Sequence, residues 1–383
     1  MIDRPGYIKQ IQFQFDVHPV LAILGPRQCG KTTLAKMYED RYVEEPVTRF
    51  DLEDPTHLSR LESPKLALEK LKGLVIIDEI QRYPEIFEVI RILVDRENNP
   101  ARFLILGSAS IDLIRQSSET LAGRIGLIEL TPFLLEEVGR ENIDKLWFSG
   151  GYPSSFLAKS EKVRTAWRKA YISTFLERDI PNLGFSIPPT ALRRFWMMLA
   201  HYHGQTVNYS EFGRSFGASD NTIKKYLDLL SSTFMVRQLP PWYENIKKRQ
   251  VKAPKIYIRD SGIFHTLMGV EDQAALEFHP KLGPSWEGFA IEEIIRHYGA
   301  EQGETYFWSA YGRAELDLLI FSGSKRLGFE IKHTDAPKVT RSIRTACEDL
   351  KIDELIVVYP GKDRFPLDSG IHAMGLETLI FGP

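Results

Sequence analysis

The chain reads Val20-Leu-Ala-Ile-Leu-Gly-Pro-Arg-Gln-Cys-Gly-Lys-Thr-Thr33 across the segment that decides its fold. An apolar, strand-like run leads here into a loop with two glycines, and the loop opens a helix. The eight-residue pattern G-x-x-x-x-G-K-[ST] indicates a phosphate-binding loop when it lies between a strand and a helix, as it does here. Glycines let backbone amides turn toward phosphate oxygens, and the helix N-terminus adds positive potential. The segment therefore predicts a nucleoside triphosphate site, and a plain glycine turn before a helix is the alternative.

The residues of this loop have separate expected roles. Lys31 is expected to meet the outer phosphates, and Thr32 to offer its hydroxyl to Mg²⁺. Cys29 occupies a variable position and is interpreted as a bystander rather than a nucleophile. The other predicted nucleotide-binding positions are Gly25, Pro26, Arg27, Gln28, Cys29, Gly30 and Thr33.

A second apolar run, Leu74-Val-Ile-Ile, ends in the two acids Asp78 and Glu79. In a parallel sheet, Asp78 would reach Mg²⁺ at the carboxyl edge of the strands. Glu79 would orient or deprotonate the attacking water. A capping pair of acids is the alternative, but the phosphate loop makes the functional interpretation the favoured one.

Two further residues are candidates for the same site. Ser108 follows the apolar run Phe103-Leu-Ile-Leu-Gly and would sense the γ-phosphate or hold the water, with a plain strand end as the alternative. Arg124, in Leu-Ala-Gly-Arg, would act as an arginine finger, in cis or in trans, with a surface arginine as the alternative. A role in trans would require a homo-oligomer.

Composition excludes several classes of protein. A chain of 383 residues predicts two or three domains. The net charge of −2 says nothing about partners, so any nucleic-acid contact must come from a local basic patch. The sequence contains no stretch of about 18 uninterrupted apolar residues, so we expect no membrane span. With only two cysteines and no secretory signal pattern, we expect a cytoplasmic protein with no membrane partner.

Changes of pattern and proline clusters divide the chain into three predicted domains. Residues 1–185 alternate apolar strands with helices, which predicts the parallel α/β sheet of a P-loop NTPase, followed by a helical lid. Residues 186–262 follow the helix, glycine turn, helix and hairpin order of a winged helix-turn-helix. Residues 263–383 form a second α/β domain.

The middle region predicts contact with double-stranded DNA. Asn221, Lys224 and Lys225 are expected to be exposed on a recognition helix. The segment from Arg237 to Arg259 contains seven basic residues and one acid, Glu244. Such a wing would bind phosphates in a salt-sensitive manner. The alternative is a domain-packing element with a solvated basic loop.

In the last region, Asp317 lies on one predicted strand, Glu330 and Lys332 lie on the next, and Glu287 lies on a helix. Asp317 and Glu330 would hold a divalent metal, Lys332 would steady the attacking water, and Glu287 would supply a third acid. This arrangement resembles the PD-(D/E)xK nuclease core, and the resemblance implies a restriction-endonuclease-like α/β domain. Glu292 and Glu293, on the same helix as Glu287, are expected to face solvent. The leading proline of the motif is absent before Asp317. A salt bridge between Glu330 and Lys332, with Glu287 as a helix cap, is the alternative.

The motifs of nearly the whole chain resemble those of a prokaryotic AAA-class P-loop ATPase family with a C-terminal domain of unknown function. They are the GPRQxGKT loop, the strand ending in Asp78-Glu79, LAGR at Arg124, Gly150-Gly-Tyr-Pro153 and Asp220-Asn-Thr-Ile-Lys224. The resemblance implies an ATP hydrolase that uses Mg²⁺, with Lys31, Thr32, Asp78 and Glu79 in the roles above. Arg178 is only a weak match to the second sensor arginine of better-known AAA proteins.

Together these patterns predict an ATPase whose nucleotide state controls a DNA-binding, nuclease-like region. An ATP-switched protein-interaction module with an inactive nuclease-like domain is the alternative. A nuclease with a purely structural nucleotide is a third interpretation.

Overall fold

The computed structural model of the protein describes residues 2–97, 100–109, 121–243, 252–310 and 314–382. The backbone folds into two compact units. Unit 1 comprises Met1–Pro132, Glu177–Ile187 and Ser232–Phe234. Unit 2 comprises Phe133–Leu176, Pro188–Ser231 and Met235–Pro383. Most of the segment that the sequence assigned to a lid is thus grouped with unit 2, and the three-domain division stays a prediction.

A five-stranded parallel sheet forms the centre of unit 1. Its strands are β1 (Val20–Leu24), β2 (Val47–Asp51), β3 (Gly73–Asp78), β4 (Ala101–Gly107) and β5 (Ile125–Glu129). They lie in the order β2-β3-β4-β1-β5, and every neighbouring pair is parallel. The predicted α/β sheet of the P-loop NTPase kind is confirmed.

Both faces of this sheet are covered, which explains its nearly continuous apolar strands. Alternate residues of β1 enter different apolar clusters: Val20, Ala22 and Leu24 pack on one face, and Leu21 and Ile23 on the other. The first face includes the helix Ile86–Val94, and the second includes Pro5–Val17 and Lys31–Tyr42. Shorter helical elements of unit 1 are Pro55–Arg60, Pro64–Leu68, Ile80–Arg82 and Ile180–Asn182.

Unit 2 begins with helices and continues into a small sheet. The first helices are Leu135–Val138, Arg140–Asn142, Ile143–Ser149, Pro153–Phe156 and Glu161–Thr174, and a π-helical turn, Phe175–Asp179, leads back into unit 1. Then follow helix Pro189–His201, β6 (Gln205–Thr206), helices Tyr209–Phe216 and Asp220–Ser232, β7 (Val236–Leu239) and β8 (Lys255–Ile258). The three strands form an antiparallel sheet in the order β6-β8-β7.

A mixed six-stranded sheet forms the rest of unit 2. Its strands are β9 (Thr305–Ala310), β10 (Ala314–Ser322), β11 (Lys325–Ile331), β12 (Glu354–Tyr359), β13 (Arg364–Asp368) and β14 (Ile371–Gly375). Their order is β13-β14-β12-β11-β10-β9. β9, β10 and β11 are antiparallel, whereas β11, β12 and β14 run parallel. The accompanying helices are Ser261–Leu267, Gln273–Glu277, Leu282–His297, Arg341–Leu350 and Leu376–Phe381.

Within the described ranges, no helix has the length and apolar character needed to cross a membrane.

Candidate functional site

The phosphate loop joins the carboxyl end of β1 to the helix Lys31–Tyr42. Gly30 precedes that helix with φ of 103°, in the region that glycine adopts without strain. Gly25 lies so close to the chain after β5 that a Cβ atom there would stand 2.0 Å from the Leu130 carbonyl oxygen. The two glycines of the motif are therefore needed for different reasons: Gly30 adopts a positive φ, and Gly25 allows a close approach of the backbone.

Arg4 supports the loop from behind. Its side chain is buried, and its guanidinium donates to the carbonyl oxygens of Cys29 at 3.3 Å and Thr131 at 3.0 Å. Cys29 is fully buried, and its thiol lies 3.5 Å from the Leu130 carbonyl oxygen. Burial raises the pKa of the Cys29 thiol, so little nucleophilic thiolate is present. This environment supports the bystander interpretation of Cys29, and nothing in the sequence pattern pointed to Arg4.

The loop lysine and the following threonine face different partners. Lys31 is buried, and its ammonium donates to the carbonyl oxygens of Gly25 and Pro26 at 3.0 Å each. The Thr32 hydroxyl donates to Asp78 Oδ2 at 2.7 Å. Because Asp78 ends β3 and Thr32 begins the helix after β1, the structure brings together two residues that are 46 positions apart.

Glu79, Gln81 and Ser108 form a connected set at the same edge. The Gln81 amide donates to Glu79 Oε2 and lies 2.8 Å from Ser108 Oγ, and the Ser108 hydroxyl lies 3.4 Å from Glu79 Oε2. Ser108 N also donates to Gln81 Oε1 at 3.2 Å. Burial raises the pKa of Glu79, Lys31 acts in the opposite direction, and Asp78 adds to the rise. Sequence reasoning missed Gln81, because a glutamine in a one-turn helix carries no motif of its own.

Arg27 links the phosphate loop to a carboxylate pair that the sequence did not indicate. Its guanidinium forms a salt bridge with Asp179 and another with Glu53 at 2.7 Å. Glu53 also binds Arg178, with Nη2 at 3.2 Å. Burial alone would lower the pKa of Arg27, but Asp179, Glu79 and Glu53 raise it. Arg178 therefore joins this cluster as a partner of Glu53.

Arg124 lies at the amino ends of the strands, opposite the end at which the phosphate loop begins, and this position does not favour a role in cis. It directly precedes β5, whose first residue is in register with Val20, the first residue of β1. The phosphate loop begins after the last residue of β1, so a five-residue strand, about 16 Å at 3.3 Å per residue, separates the two positions. Arg124 instead pairs with Asp95 and donates to the Ala122 carbonyl oxygen at 3.1 Å. A role in trans stays a prediction.

The remaining loop positions differ in exposure. Pro26 is buried, whereas Gln28, with φ of 60°, and Thr33 are exposed. Exposed loop positions beside a helix N-terminus remain accessible to a phosphate chain.

The predicted nuclease-like residues form a carboxylate cluster in unit 2. The Asp317 carboxylate accepts a hydrogen bond from Ile331 N at 3.0 Å, next to Glu330 on β11. Lys332 Nζ lies 2.8 Å from Glu330 Oε1, as the period of a strand requires. Glu287 accepts a hydrogen bond from the Tyr257 hydroxyl at 2.6 Å.

A lysine that the sequence analysis placed in the basic wing occupies the centre of this cluster. Lys255 Nζ lies 3.3 Å from Asp317 Oδ1 and 3.6 Å from Glu287 Oε1, and it also pairs with Glu315. Burial raises the pKa of Glu287 to about 7 and that of Glu330 to about 8, and Asp317 adds to both shifts.

No group of three or more His, Cys, Asp or Glu side chains in the described ranges is arranged to hold a metal ion. The predicted metal site of Glu287, Asp317 and Glu330 is therefore not formed as such. The physical reason is that the ammonium of Lys255 neutralises Asp317 and Glu287, while Lys332 binds Glu330.

Glu292 and Glu293 are buried, so the expectation that they face solvent is wrong. Glu292 pairs with Arg237 of β7, at 2.8 Å from Nη2, and with Arg259, at 3.3 Å. Burial alone would raise the pKa of Glu292, but the two arginines lower it to about 2. Glu293 accepts a hydrogen bond from Leu135 N at 2.9 Å, and burial raises its pKa to about 8.

These contacts also change the interpretation of the basic segment. Arg237, Lys255 and Arg259 form salt bridges with buried carboxylates of unit 2. Among the described positions of the segment, Lys252 is exposed. Lys247, Lys248 and Arg249 lie outside the described residues. Asn221, Lys224 and Lys225 are exposed on the helix Asp220–Ser232, as the sequence predicted.

Three family models match consecutive parts of the chain. An AAA domain matches residues 17–139, and two domains of unknown function, DUF8612 and DUF4143, match residues 140–274 and 282–379.

Similarity to solved structures is low. The Walker-type ATPase PABY2304 of Pyrococcus abyssi is 15% identical, with a TM-score of 0.48 over 70% of this chain and 96% of that one. A RuvB variant of Thermotoga maritima is 16% identical, with a TM-score of 0.32 over 62% of this chain and 90% of that one.

Two mycobacterial proteins are similar over almost the full chain. They are named uncharacterized protein Rv2008c, of Mycobacterium tuberculosis, and uncharacterized protein Mb2031c, of Mycobacterium bovis. Each is 48% identical over 380 residues, which cover 99% of this chain and 85% of the relative. A Haemophilus influenzae protein is 24% identical over 70% of this chain and 74% of its own length. The chain thus belongs to the family of the two mycobacterial proteins, and its N-terminal unit is an AAA-class P-loop domain.

Proposed function

We propose that unit 1 binds ATP together with Mg²⁺ and hydrolyses the γ-phosphate. The observation that carries this proposal is the 2.7 Å hydrogen bond between Thr32 Oγ1 and Asp78 Oδ2. A hydroxyl and a carboxylate are hard oxygen donors of the kind that Mg²⁺ prefers, so Thr32 and Asp78 fit the ion. When bound, Mg²⁺ would neutralise charge on the phosphate oxygens.

The other residues of the site have roles that follow from their surroundings. Two carbonyl oxygens of the loop accept hydrogen bonds from the Lys31 ammonium and hold its positive charge beside the loop. Glu79 is suited to accept a proton from water, since burial raises its pKa and makes the carboxylate a stronger base. Gln81 and Ser108 orient the Glu79 carboxylate through their hydrogen bonds.

The test is phosphate release by the purified protein in Mg²⁺ and ATP. Glu79→Gln is expected to lower kcat by at least about 100-fold, the usual loss for a missing general base, while ATP binding persists. Lys31→Ala is expected to weaken ATP binding itself. Glu88→Gln, at an exposed position of the helix Ile86–Val94, is the matched control and should keep the wild-type rate. A wild-type rate for Glu79→Gln would refute the assignment.

We also propose that unit 2 contains a winged helix followed by a nuclease-like fold. The order helix, strand, two helices and two strands, with β6 paired to β8, supports the first assignment. Three antiparallel strands followed by a helix and the parallel strand β12 support the second.

The partner that we propose for unit 2 is double-stranded DNA, bound rather than cleaved. The exposed Asn221, Lys224 and Lys225 support DNA contact, whereas the pairing of Lys255 with the carboxylate cluster argues against cleavage. Duplex DNA should stimulate ATP turnover, and added salt or Lys224→Ala should remove the stimulation. Turnover that is indifferent to DNA at low salt would favour the protein-interaction module.

A homo-oligomer is proposed only if Arg124 acts in trans. Mixing Lys31→Ala subunits with Arg124→Ala subunits tests this, because a shared site would recover part of the turnover. Two inactive proteins that stay inactive when mixed would exclude sharing.

A further inference from the structure

Lys255 connects three elements of unit 2 through one ammonium group. Only 5% of its side chain is exposed, and its partners come from the helix Leu282–His297 and from two positions of β10. A buried ammonium is stable only when carboxylates compensate for its lost hydration. Glu287, Glu315 and Asp317 provide that compensation, so Lys255 is a bound cation supplied by the chain itself.

The cluster also has an oxygen that no described group uses. Glu330 binds Lys332 through Oε1, but its buried Oε2 has no hydrogen-bond partner in the described ranges. The antiparallel register, in which Leu318 faces Phe329, continues to place Glu330 opposite Asp317. Glu330 has only 5% relative exposure and lies beside the other acids. The cluster therefore has more acceptor capacity than its two lysines fill.

A divalent cation and the Lys255 ammonium would compete for this place. Mg²⁺ and similar ions need several carboxylate oxygens at about 2.1 Å, and the acids of the cluster are ligands of that type. Two cations within a few ångström of each other in a poorly hydrated region repel strongly. Lys255 contacts two of the three acids that a nuclease-like site would use, Asp317 and Glu287.

We propose that Lys255 is the resident cation of the carboxylate cluster, and that a divalent metal ion binds there only when the Lys255 side chain is displaced or shortened. The proposal deepens the proposed nuclease-like assignment of unit 2, because it explains how such a core is held without metal. It is independent of ATP hydrolysis by unit 1 and of DNA binding.

The experiment measures Mn²⁺ binding to the full chain without nucleotide, by the electron paramagnetic resonance signal of free Mn²⁺. All proteins carry Asp78→Asn, so that the proposed Mg²⁺ position of unit 1 does not contribute. Adding Lys255→Met should create one Mn²⁺ site that binds at least about tenfold tighter than any site of the parent, because it removes the repulsion between the two cations. Adding Asp317→Asn to that protein should abolish the new site. Lys332→Met is the matched control, and it should create no comparable site because Lys255 remains.

Two results would overturn the proposal. One is a folded Lys255→Met protein, judged by its circular dichroism and thermal unfolding, that binds Mn²⁺ no better than the parent. The other result comes from a protein in which Lys255 is intact, so it does not depend on the variant folding. It is Mn²⁺ binding that is lost with Asp317→Asn but leaves the rate at which acetic anhydride acylates Lys255 unchanged. The proposal instead expects Lys255 to react more slowly than the exposed Lys252, and any Mn²⁺ that enters to accelerate its reaction. DNA cleavage is not the readout, so an inactive nuclease-like domain and a wrong assignment of Lys255 are distinguishable.

Discussion

Replacing Glu292 by glutamine is expected to destabilise unit 2 by about 3 kcal/mol at neutral pH. Arg237 and Arg259 hold the pKa of this buried carboxyl at about 2, against an ordinary value of 4.5. Since a tenfold change in proton affinity is worth about 1.4 kcal/mol, that difference corresponds to about 3 kcal/mol. Removing one partner of a buried ion pair costs about 3 to 5 kcal/mol, which agrees.

The adjacent Glu293 provides a matched control with the opposite expectation. Burial raises its pKa to about 8, so it is mainly protonated in the folded protein at pH 7. Glutamine resembles the protonated acid and still accepts the hydrogen bond from Leu135 N. Because Glu293→Gln removes the need to take up a proton on folding, it should raise the free energy of unfolding at pH 7, by up to about 3 kcal/mol.

Urea unfolding between pH 3 and pH 9 measures both effects. The folded pKa of Glu292 is lowered, so its contribution is full above about pH 4.5 and is lost as the pH falls toward 2. The gap between wild type and Glu292→Gln in the free energy of unfolding should therefore narrow as the pH falls to 3. For Glu293 the folded pKa is raised, so the benefit of glutamine should grow from about pH 4.5 to pH 8. Equal losses for both variants at neutral pH would refute the reasoning.

Three further predictions concern unit 1. Gln81→Ala should lower kcat for ATP hydrolysis by about tenfold with little change in KM, because it frees the Glu79 carboxylate without touching the phosphate loop; an equal effect on KM in steady-state kinetics would contradict this. Arg4→Met should reduce the free energy of unfolding by about 3 kcal/mol in urea titrations, since it leaves buried carbonyl oxygens without their donor. Asp179→Asn should tighten ATP binding relative to ADP, because it releases Arg27 from one carboxylate, and equal changes for both nucleotides in calorimetry would refute that assignment.

The local features of unit 1 followed from the sequence. The strand Val20–Leu24 coincides with the apolar run that precedes the phosphate loop in the sequence. The phosphate loop was readable because its glycines and its lysine act within eight consecutive residues. Strand β2 was missed, since its half-buried residues lack a continuous apolar run.

Partners that are distant along the chain were decided by the tertiary structure alone. Arg124 was expected on a loop. Only the parallel register shows that this loop lies at the amino ends of the strands, whereas the phosphate loop lies at their carboxyl ends. Glu292 was expected to face solvent because charged residues of an amphipathic helix usually lie on its exposed face, and the sequence does not show a buried partner. Its partner Arg237 lies 55 residues away.

Lys255 illustrates the same limit at the carboxylate cluster. In the sequence it is one of seven basic residues in a segment, and that pattern is typical of a phosphate-binding surface. In the structure it is buried against Asp317, which lies 62 residues further along the chain. The sequence by itself determined the apolar strands β1, β3 and β4, the phosphate loop and the candidate acids, because those signals are local. The tertiary structure decided which charges neutralise one another, because that depends on distances that no local pattern records.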